Sequence, residues 1–252
     1  MSTLEVDKLT AGFLVDGKES IVLQNISLSV SSGETLAIVG ESGSGKSVTS
    51  MHIMQLLDKR SAFISEGKIS FGSEVISENP DLGKMRGAQI AMVFQEPMTA
   101  LNPTMSCGKQ VSEMLRLHEN LSKSEAKTRV LELFALVEIP EPKRAFVSFP
   151  HELSGGQKQR VVIAMAISCN PSFLIADEPT TALDVTVQAA ILQLLKKLQV
   201  DKGMGLIFIT HDLAVVADIA DQAGGGGKQH IRAVFLIPEM IDGGAGDVER
   251  AL

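Results

Sequence analysis

Apolar and polar residues alternate near the start of the chain, which predicts strands that are half exposed. Residues 4–13 and 21–30 have this pattern, and in the second stretch isoleucine, leucine and valine alternate with serine. Asp16-Gly17 between them is a turn signal, and residues 66–76 again combine strand-like and turn-like residues. The pattern predicts a subdomain of antiparallel strands.

Uninterrupted apolar runs occur at four later places and predict strands buried on both faces. They are residues 36–39, 90–94, 173–176 and 206–210. Stretches with the apolar spacing of a helix follow such runs and predict an α/β core. These stretches are residues 48–57, 158–167, 187–198 and 213–220.

A long stretch between two of these strands has only helical spacing. Residues 105–137 place apolar side chains on common helix faces, and Pro140 and Pro142 end the stretch. We interpret it as a helical insertion into the α/β core.

The segment between the first apolar run and its helix fits the P-loop pattern G-x-x-x-x-G-K-[ST]. Its residues are Gly40, Glu41, Ser42, Gly43, Ser44, Gly45, Lys46 and Ser47. Such a loop turns backbone N–H groups towards an anion at a helix N-terminus. Lys46 is expected to reach the β- and γ-phosphates, and the Ser47 hydroxyl to hold Mg²⁺. The alternative is a surface turn rich in glycine and serine.

Polar residues follow three of the apolar runs, at the strand ends where α/β sheets bind ligands. Gln95 follows the second run, although taken alone it reads as an ordinary loop residue. Asp177 and Glu178 follow the third run, and we expect Asp177 to bind Mg²⁺ and Glu178 to orient or deprotonate the attacking water. His211 follows the fourth and is a candidate hydrogen-bond donor to the γ-phosphate.

A second candidate anion site precedes the helix predicted at 158–167. It consists of Ser154, Gly155, Gly156 and Gln157. One nucleotide in one subunit hardly needs two such sites, so the second is expected to serve a nucleotide held by a partner subunit. Taken alone, the stretch reads as a glycine-rich helix cap.

Composition narrows the class of protein. The net charge of −7 and a pI near 5.3 argue against a general nucleic-acid binder. The two cysteines, Cys107 and Cys169, stand in unlike contexts, so we expect core residues in a reducing cytoplasm. The sequence shows neither a signal-peptide pattern nor an apolar run long enough to span a membrane. Phe13 is a candidate for stacking on adenine, and a core-facing strand residue is the equal alternative.

Taken in order, these motifs make residues 4 to about 222 resemble the ATP-binding subunit of an ABC transporter. The set comprises Walker A, the Q-loop glutamine, the sequence LSGGQ, Walker B, the D-loop with Asp184, and the switch histidine. The stretches VFQEPMTALNP and ADEPTTALDVTVQAAIL resemble the oligopeptide, dipeptide and nickel importer branch, which takes up peptides, nickel or glutathione.

The resemblance implies a nucleotide-binding domain over residues 1–222. Its fold would be α/β, with a RecA-like P-loop core, an antiparallel β subdomain and a helical subdomain at about 98–165. The resemblance also implies ATP and Mg²⁺ as cofactors, with Gln95 at the metal and taking part in catalysis.

The same resemblance implies assembly with partners. Two such subunits, identical or related, would pair head to tail with ATP between the P-loop of one and Ser154–Gln157 of the other, and Asp184 would communicate across the interface. The pair would act on transmembrane permease subunits at the cytoplasmic face of the inner membrane, and indirectly with an extracytoplasmic solute-binding protein, but not with nucleic acid.

The tail at residues 223–252 departs from that family. It opens with four glycines at 224–227, which would weaken a central strand, although residues 234–237 are a candidate strand. We hypothesise a frameshift or truncation near residue 223; a family-like reading frame intact in the same phase of the gene would disprove it. The rival interpretations are an assembly-defective remnant and an ABC ATPase without a transport role. The single P-loop and the lack of heptads argue against the latter.

Overall fold

The computed structural model describes residues 2–77, 82–181, 183–221 and 231–236. They fall into two compact units. The first contains the described residues up to Gly83 and from Gly203 onward, and the second runs from Lys84 to Lys202. In the part of the chain that is described, no helix is both long and apolar enough to cross a membrane.

Three strands open the described chain, five helices follow one another in its middle, and strands and helices alternate in its last third. The strands are Thr3–Val15 (β1), Lys18–Ser31 (β2), Thr35–Val39 (β3), Ala62–Phe71 (β4), Glu74–Val75 (β5), Ile90–Val93 (β6), Phe173–Asp177 (β7), Gly205–Thr210 (β8) and Ile231–Phe235 (β9). The helices are Lys46–Ile53 (α1), Pro97–Ala100 (α2), Cys107–His118 (α3), Lys123–Leu136 (α4), Pro142–Val147 (α5), Gly155–Ala166 (α6), Val185–Lys202 (α7) and Leu213–Asp221 (α8).

The first unit contains two kinds of strand pairing. An antiparallel sheet has the order β2-β1-β4-β5. Separately, β3 lies between β8 and β9 and is parallel to both, with Val39 opposite Thr210 and Phe235. All five residues of β3 are buried, as expected for a strand covered on both faces. This arrangement brings the C-terminal ends of three strands to one edge.

The second unit contains a pair of parallel strands and a group of helices. In the pair β6 and β7, Ile90 lies opposite Phe173 and Val93 opposite Ala176. Phe134 of α4 is fully buried. A side chain at Gly108 of α3 would collide with the Phe146 ring, so the small residue permits the close contact of α3 with α5.

The predicted α/β fold with antiparallel strands and a helical insertion is confirmed, but several element boundaries differ. The P-loop helix ends at Ile53, short of the predicted residue 57, because Gln55 is left-handed (φ 48°) and its side chain donates to the Ile76 carbonyl. The stretch 105–137 is two helices, broken at Asn120 (φ 54°). The strand in the tail ends at Phe235 instead of residue 237, and it begins at Ile231.

The predicted glycine tract at 224–227 lies outside the described residues. The domain division at residue 222 therefore stays a prediction. Residues 231–236, which belong to the atypical tail, nevertheless pair with the P-loop strand through β9.

Candidate nucleotide site

The P-loop is held in a curled form by the side chain that is expected to bind phosphate. The Lys46 ammonium donates to the carbonyl oxygens of Gly40 and Glu41, both at 2.7 Å, and Lys46 is only 5% exposed. Gly43 and Gly45 have φ angles of 88° and 86°, in the left-handed region that glycine adopts at little cost. The predicted loop therefore has the backbone form of an anion cradle.

A buried hydroxyl inside the loop fits the same purpose. The Oγ atom of Ser44 is buried and has no hydrogen-bond partner among the described residues. A buried polar atom without a partner is costly, and a phosphate oxygen would satisfy it. Helix α1 begins at Lys46, within the P-loop pattern, so its N-terminal dipole end adds positive potential at the same place.

The tail strand packs against the first residue of the P-loop. Leu236, just after β9, donates its N–H to the Val39 carbonyl at 2.7 Å and is 4% exposed. A Cβ atom on Gly40 would collide with the Leu236 carbonyl oxygen and lie 2.6 Å from the Ser44 hydroxyl. Gly40 is therefore needed for its small size.

Two further predicted residues of the first unit lie on neighbouring strands. Thr210 lies opposite Val39 in the parallel pair β8–β3, so His211 and Gly40 leave the same strand edge, and His211 is exposed. Phe13 lies in β1 opposite Ser20 and Ala62 and is partly buried. Stacking of its ring on adenine stays a prediction.

The second unit brings together the glutamine and the acidic pair. Asp177 is the last residue of β7 and is 4% exposed. The Gln95 side-chain amide donates to Glu178 Oε2 at 2.9 Å. The parallel pairing of β6 with β7 explains this contact, because both residues follow the same edge.

Glu178 has an unusual backbone and a second side-chain partner. Its φ angle is 44°, which costs a residue other than glycine about 1–2 kcal/mol. The Thr181 hydroxyl donates to the same Oε2 atom at 3.0 Å, and the Thr181 N–H donates to the Glu178 carbonyl at 3.2 Å. Sequence reasoning missed Thr181; the only signal was a hydroxyl three residues after the acid.

The glycine-rich segment at 154–157 begins helix α6 with a reciprocal cap. The Gln157 N–H donates to Ser154 Oγ at 3.3 Å, and the Ser154 N–H donates to Gln157 Oε1 at 3.0 Å. The predicted helix start at 158 is therefore wrong by one turn, because the glycines are helical. Ser154 and Gly155 are exposed.

The start of α7 lies over these glycines. A Cβ atom on Gly156 would approach Val187 Cγ1 to 2.7 Å, whereas one on Gly155 would stand 3.5 Å from Leu183. The exposed Asp184 caps α7 by accepting from the Val187 N–H at 3.0 Å. The second unit thus places Asp184 beside the segment at 154–157.

Three buried or partly buried side chains have displaced pKa values. Burial lowers the pKa of His52 in α1. Burial raises the pKa of the Cys107 thiol to about 11 and also raises that of Cys169. Both cysteines are free thiols, and the described residues contain no cluster of three or more histidine, cysteine or acidic side chains suited to a metal.

The sequence is similar to those of known proteins. The family described as ABC transporter matches residues 23–181. The oligopeptide transport ATP-binding protein OppD of Bacillus subtilis is 52% identical over 221 residues, which cover 87% of this chain and 62% of that protein. The glutathione import ATP-binding protein GsiA of Escherichia coli is 49% identical over 228 residues, which cover 88% of this chain and 37% of that protein. This chain thus spans less than two thirds of either relative.

A solved structure agrees with the fold. The dimeric ATP-binding cassette MJ0796, in a post-hydrolysis state bound to ADP and phosphate, superposes with a TM-score of 0.75. It is 33% identical, and the match covers 92% of this chain and 94% of that one. Since the family match spans more than half of the chain and includes the P-loop, LSGGQ and Walker B, this chain belongs to the ABC transporter family.

Proposed function

We propose that the protein binds and hydrolyses ATP and thereby energises an ABC importer for peptides or similar small solutes. The observation that carries the proposal is the P-loop, in which Lys46 is buried against the loop carbonyls and the Ser44 hydroxyl is buried without a partner. A triphosphate would give the Ser44 hydroxyl a partner and would accept from the Lys46 ammonium. Binding of an anion at this place also uses the N-terminus of α1.

The ligands for nucleotide and metal come from few side chains. Residues 40–47 would bind the phosphates, and Phe13 would contact the adenine. Ser47, Gln95 and Asp177 offer oxygen ligands of the kind that Mg²⁺ prefers, and a phosphate-bound magnesium needs only one or two carboxylates from the protein. When bound, Mg²⁺ would neutralise charge on the phosphate oxygens.

Glu178 is the proposed general base. A water oxygen forms a bond to the γ-phosphorus while the bond from phosphorus to the bridging oxygen breaks, and ADP leaves with that electron pair. Glu178 takes a proton from the water, and Lys46 and His211 donate to the phosphate oxygens. The Gln95 amide donates to Glu178 Oε2 in this structure, and Gln95 would take part in catalysis through this contact.

The proposed assembly needs a second ABC subunit, either identical or a paralogue. Ser154, Gly155, Gly156 and Gln157 would complete the nucleotide site of the partner, with Asp184 at the interface. The exposure of Ser154, Gly155 and Asp184 supports this, as does the dimeric state of MJ0796. Permease subunits would hold the pair at the cytoplasmic face of the inner membrane, and an extracytoplasmic solute-binding protein would act through them.

The solute class rests on the named relatives, which transport oligopeptides and glutathione. A peptide importer is therefore the favoured system. An assembly-defective remnant is the competing interpretation, since residues 223–252 depart from the family.

Light scattering of the Glu178→Gln protein tests the proposal. With Mg-ATP the mass should double while turnover is lost, because ATP stays bound between two subunits. Lys46→Ala is the control and should lose ATP binding in an equilibrium titration. A monomer with ATP bound would indicate either a paralogous partner that is missing from the assay or a tail that prevents assembly, and turnover near the parent rate in Glu178→Gln would contradict the assigned base.

A further inference from the structure

Two side chains converge on a single oxygen of Glu178. The Gln95 amide nitrogen lies 2.9 Å from Glu178 Oε2, and the Thr181 hydroxyl oxygen lies 3.0 Å from the same atom. All three residues belong to the second unit. In the proposed mechanism Glu178 and Gln95 have roles, whereas Thr181 has none.

The two contacts differ in how they depend on the rest of the fold. Gln95 is 83 residues away from Glu178 in the chain and is exposed, so any displacement of the segment after β6 breaks its hydrogen bond. Thr181 is only three residues away and belongs to the same turn, in which its N–H also donates to the Glu178 carbonyl. Its hydroxyl therefore moves together with the acid.

The turn also sets the direction of the carboxylate. Glu178 is in the left-handed region at a φ of 44°, so its side chain leaves β7 in a direction that a regular strand would not give. A backbone in that region keeps its form only where surrounding contacts over-determine it. Both hydrogen bonds from Thr181 supply such contacts.

We propose that Thr181 is a positioning residue for Glu178. Its hydroxyl keeps the carboxylate aimed when Gln95 moves away, so that the base is already oriented at each turnover. This inference rests on the proposed role of Glu178 as the general base. Thr181 acts through that carboxylate, to which its hydroxyl donates.

The matched pair Thr181→Val and Thr181→Ser separates the hydroxyl from the shape of the side chain. Valine keeps the branched shape and removes the donor, whereas serine keeps the donor and removes a methyl group. Measured on the full chain, Thr181→Val should lower kcat by about tenfold or more, with KM and the Kd for Mg-ATP within about twofold of the parent. Thr181→Ser should recover most of the lost rate.

Three results would overturn the inference. They are a kcat for Thr181→Val within about twofold of the parent, an equal loss in both variants, and a loss of Mg-ATP binding or thermal stability that accounts for the lower rate. Glu178→Gln, measured alongside, separates this inference from the proposed function. If that variant retains the parent rate, the role of Glu178 fails; if it is inactive while Thr181→Val is fully active, only the role of Thr181 fails.

Discussion

Replacement of Gly40 by alanine tests whether the tail strand supports the P-loop. The new Cβ atom would lie 2.6 Å from Ser44 Oγ and still closer to the Leu236 carbonyl oxygen, whereas ordinary contacts of this kind begin near 3.4 Å. The serine hydroxyl can rotate away. The Leu236 carbonyl is backbone, so the end of β9 or the P-loop itself must move by roughly 1 Å.

The expected cost follows from three terms. Overpacking of this kind costs about 1–3 kcal/mol. Separation of Leu236 from β3 also loses its hydrogen bond to Val39, worth about 1 kcal/mol. Alanine offsets about 0.4–1 kcal/mol of this loss, because it restricts the backbone of the unfolded chain more than glycine does. A net loss of about 2 kcal/mol lowers the thermal midpoint by about 4–8 °C in a chain of this size.

Thermal unfolding and equilibrium titration with Mg-ATP measure the two consequences. Displacement of the loop should weaken ATP binding roughly tenfold, which corresponds to about 1.4 kcal/mol. Gly155→Ala is the control for the thermal midpoint, because its Cβ would make only an ordinary contact, at 3.5 Å. Adding Ser44→Ala to Gly40→Ala should not restore the thermal midpoint. In a chain that lacks residues 231–252, Gly40→Ala should lower the thermal midpoint much less than it does in the full chain. A Gly40→Ala protein with the parent's midpoint and affinity would refute the packing of Leu236 on the P-loop.

Three other predictions concern separate elements. Burial lowers the pKa of His52, so on acidification the unfolded chain takes up a proton at this residue before the folded chain does. The free energy of unfolding should therefore fall as the pH drops from about 6.5 towards the lower folded pKa. In denaturant unfolding, the free energy of unfolding of His52→Gln should depend less on pH in that range. The Cys107 thiol, with its pKa raised to about 11, should resist alkylation at pH 8 until the chain is denatured, and fast labelling of the folded protein would contradict its burial. Gly156→Ala should abolish ATP-dependent dimerisation, because its Cβ atom would approach Val187 Cγ1 to 2.7 Å, and the double variant Gly156→Ala/Val187→Ala should restore it; a double variant that stays monomeric would show that the collision is not responsible.

The local elements could be predicted from the sequence because their causes lie within a few residues. The P-loop depends on Gly43 and Gly45, which have positive φ angles in the structure and belong to the pattern that predicted the loop. The buried strands follow from unbroken apolar runs such as β3 and β8, since only a strand covered on both faces has this composition. The order of the motifs was enough to indicate the family, which the match over residues 23–181 confirms.

Contacts between distant residues were decided only by the tertiary structure. Parallel pairing of β6 with β7 brings Gln95 to Glu178, and a pairing register has no signature in either strand alone. The same holds for Leu236 beside Gly40, where a tail with an atypical sequence still supplies a strand, because backbone hydrogen bonds to β3 require no particular side chain. The hydrogen bond from Thr181 to Glu178 depends on the left-handed turn at Glu178. Hydrophobic periodicity does not indicate which hydroxyl donates to which carboxylate, so the sequence alone did not predict this contact.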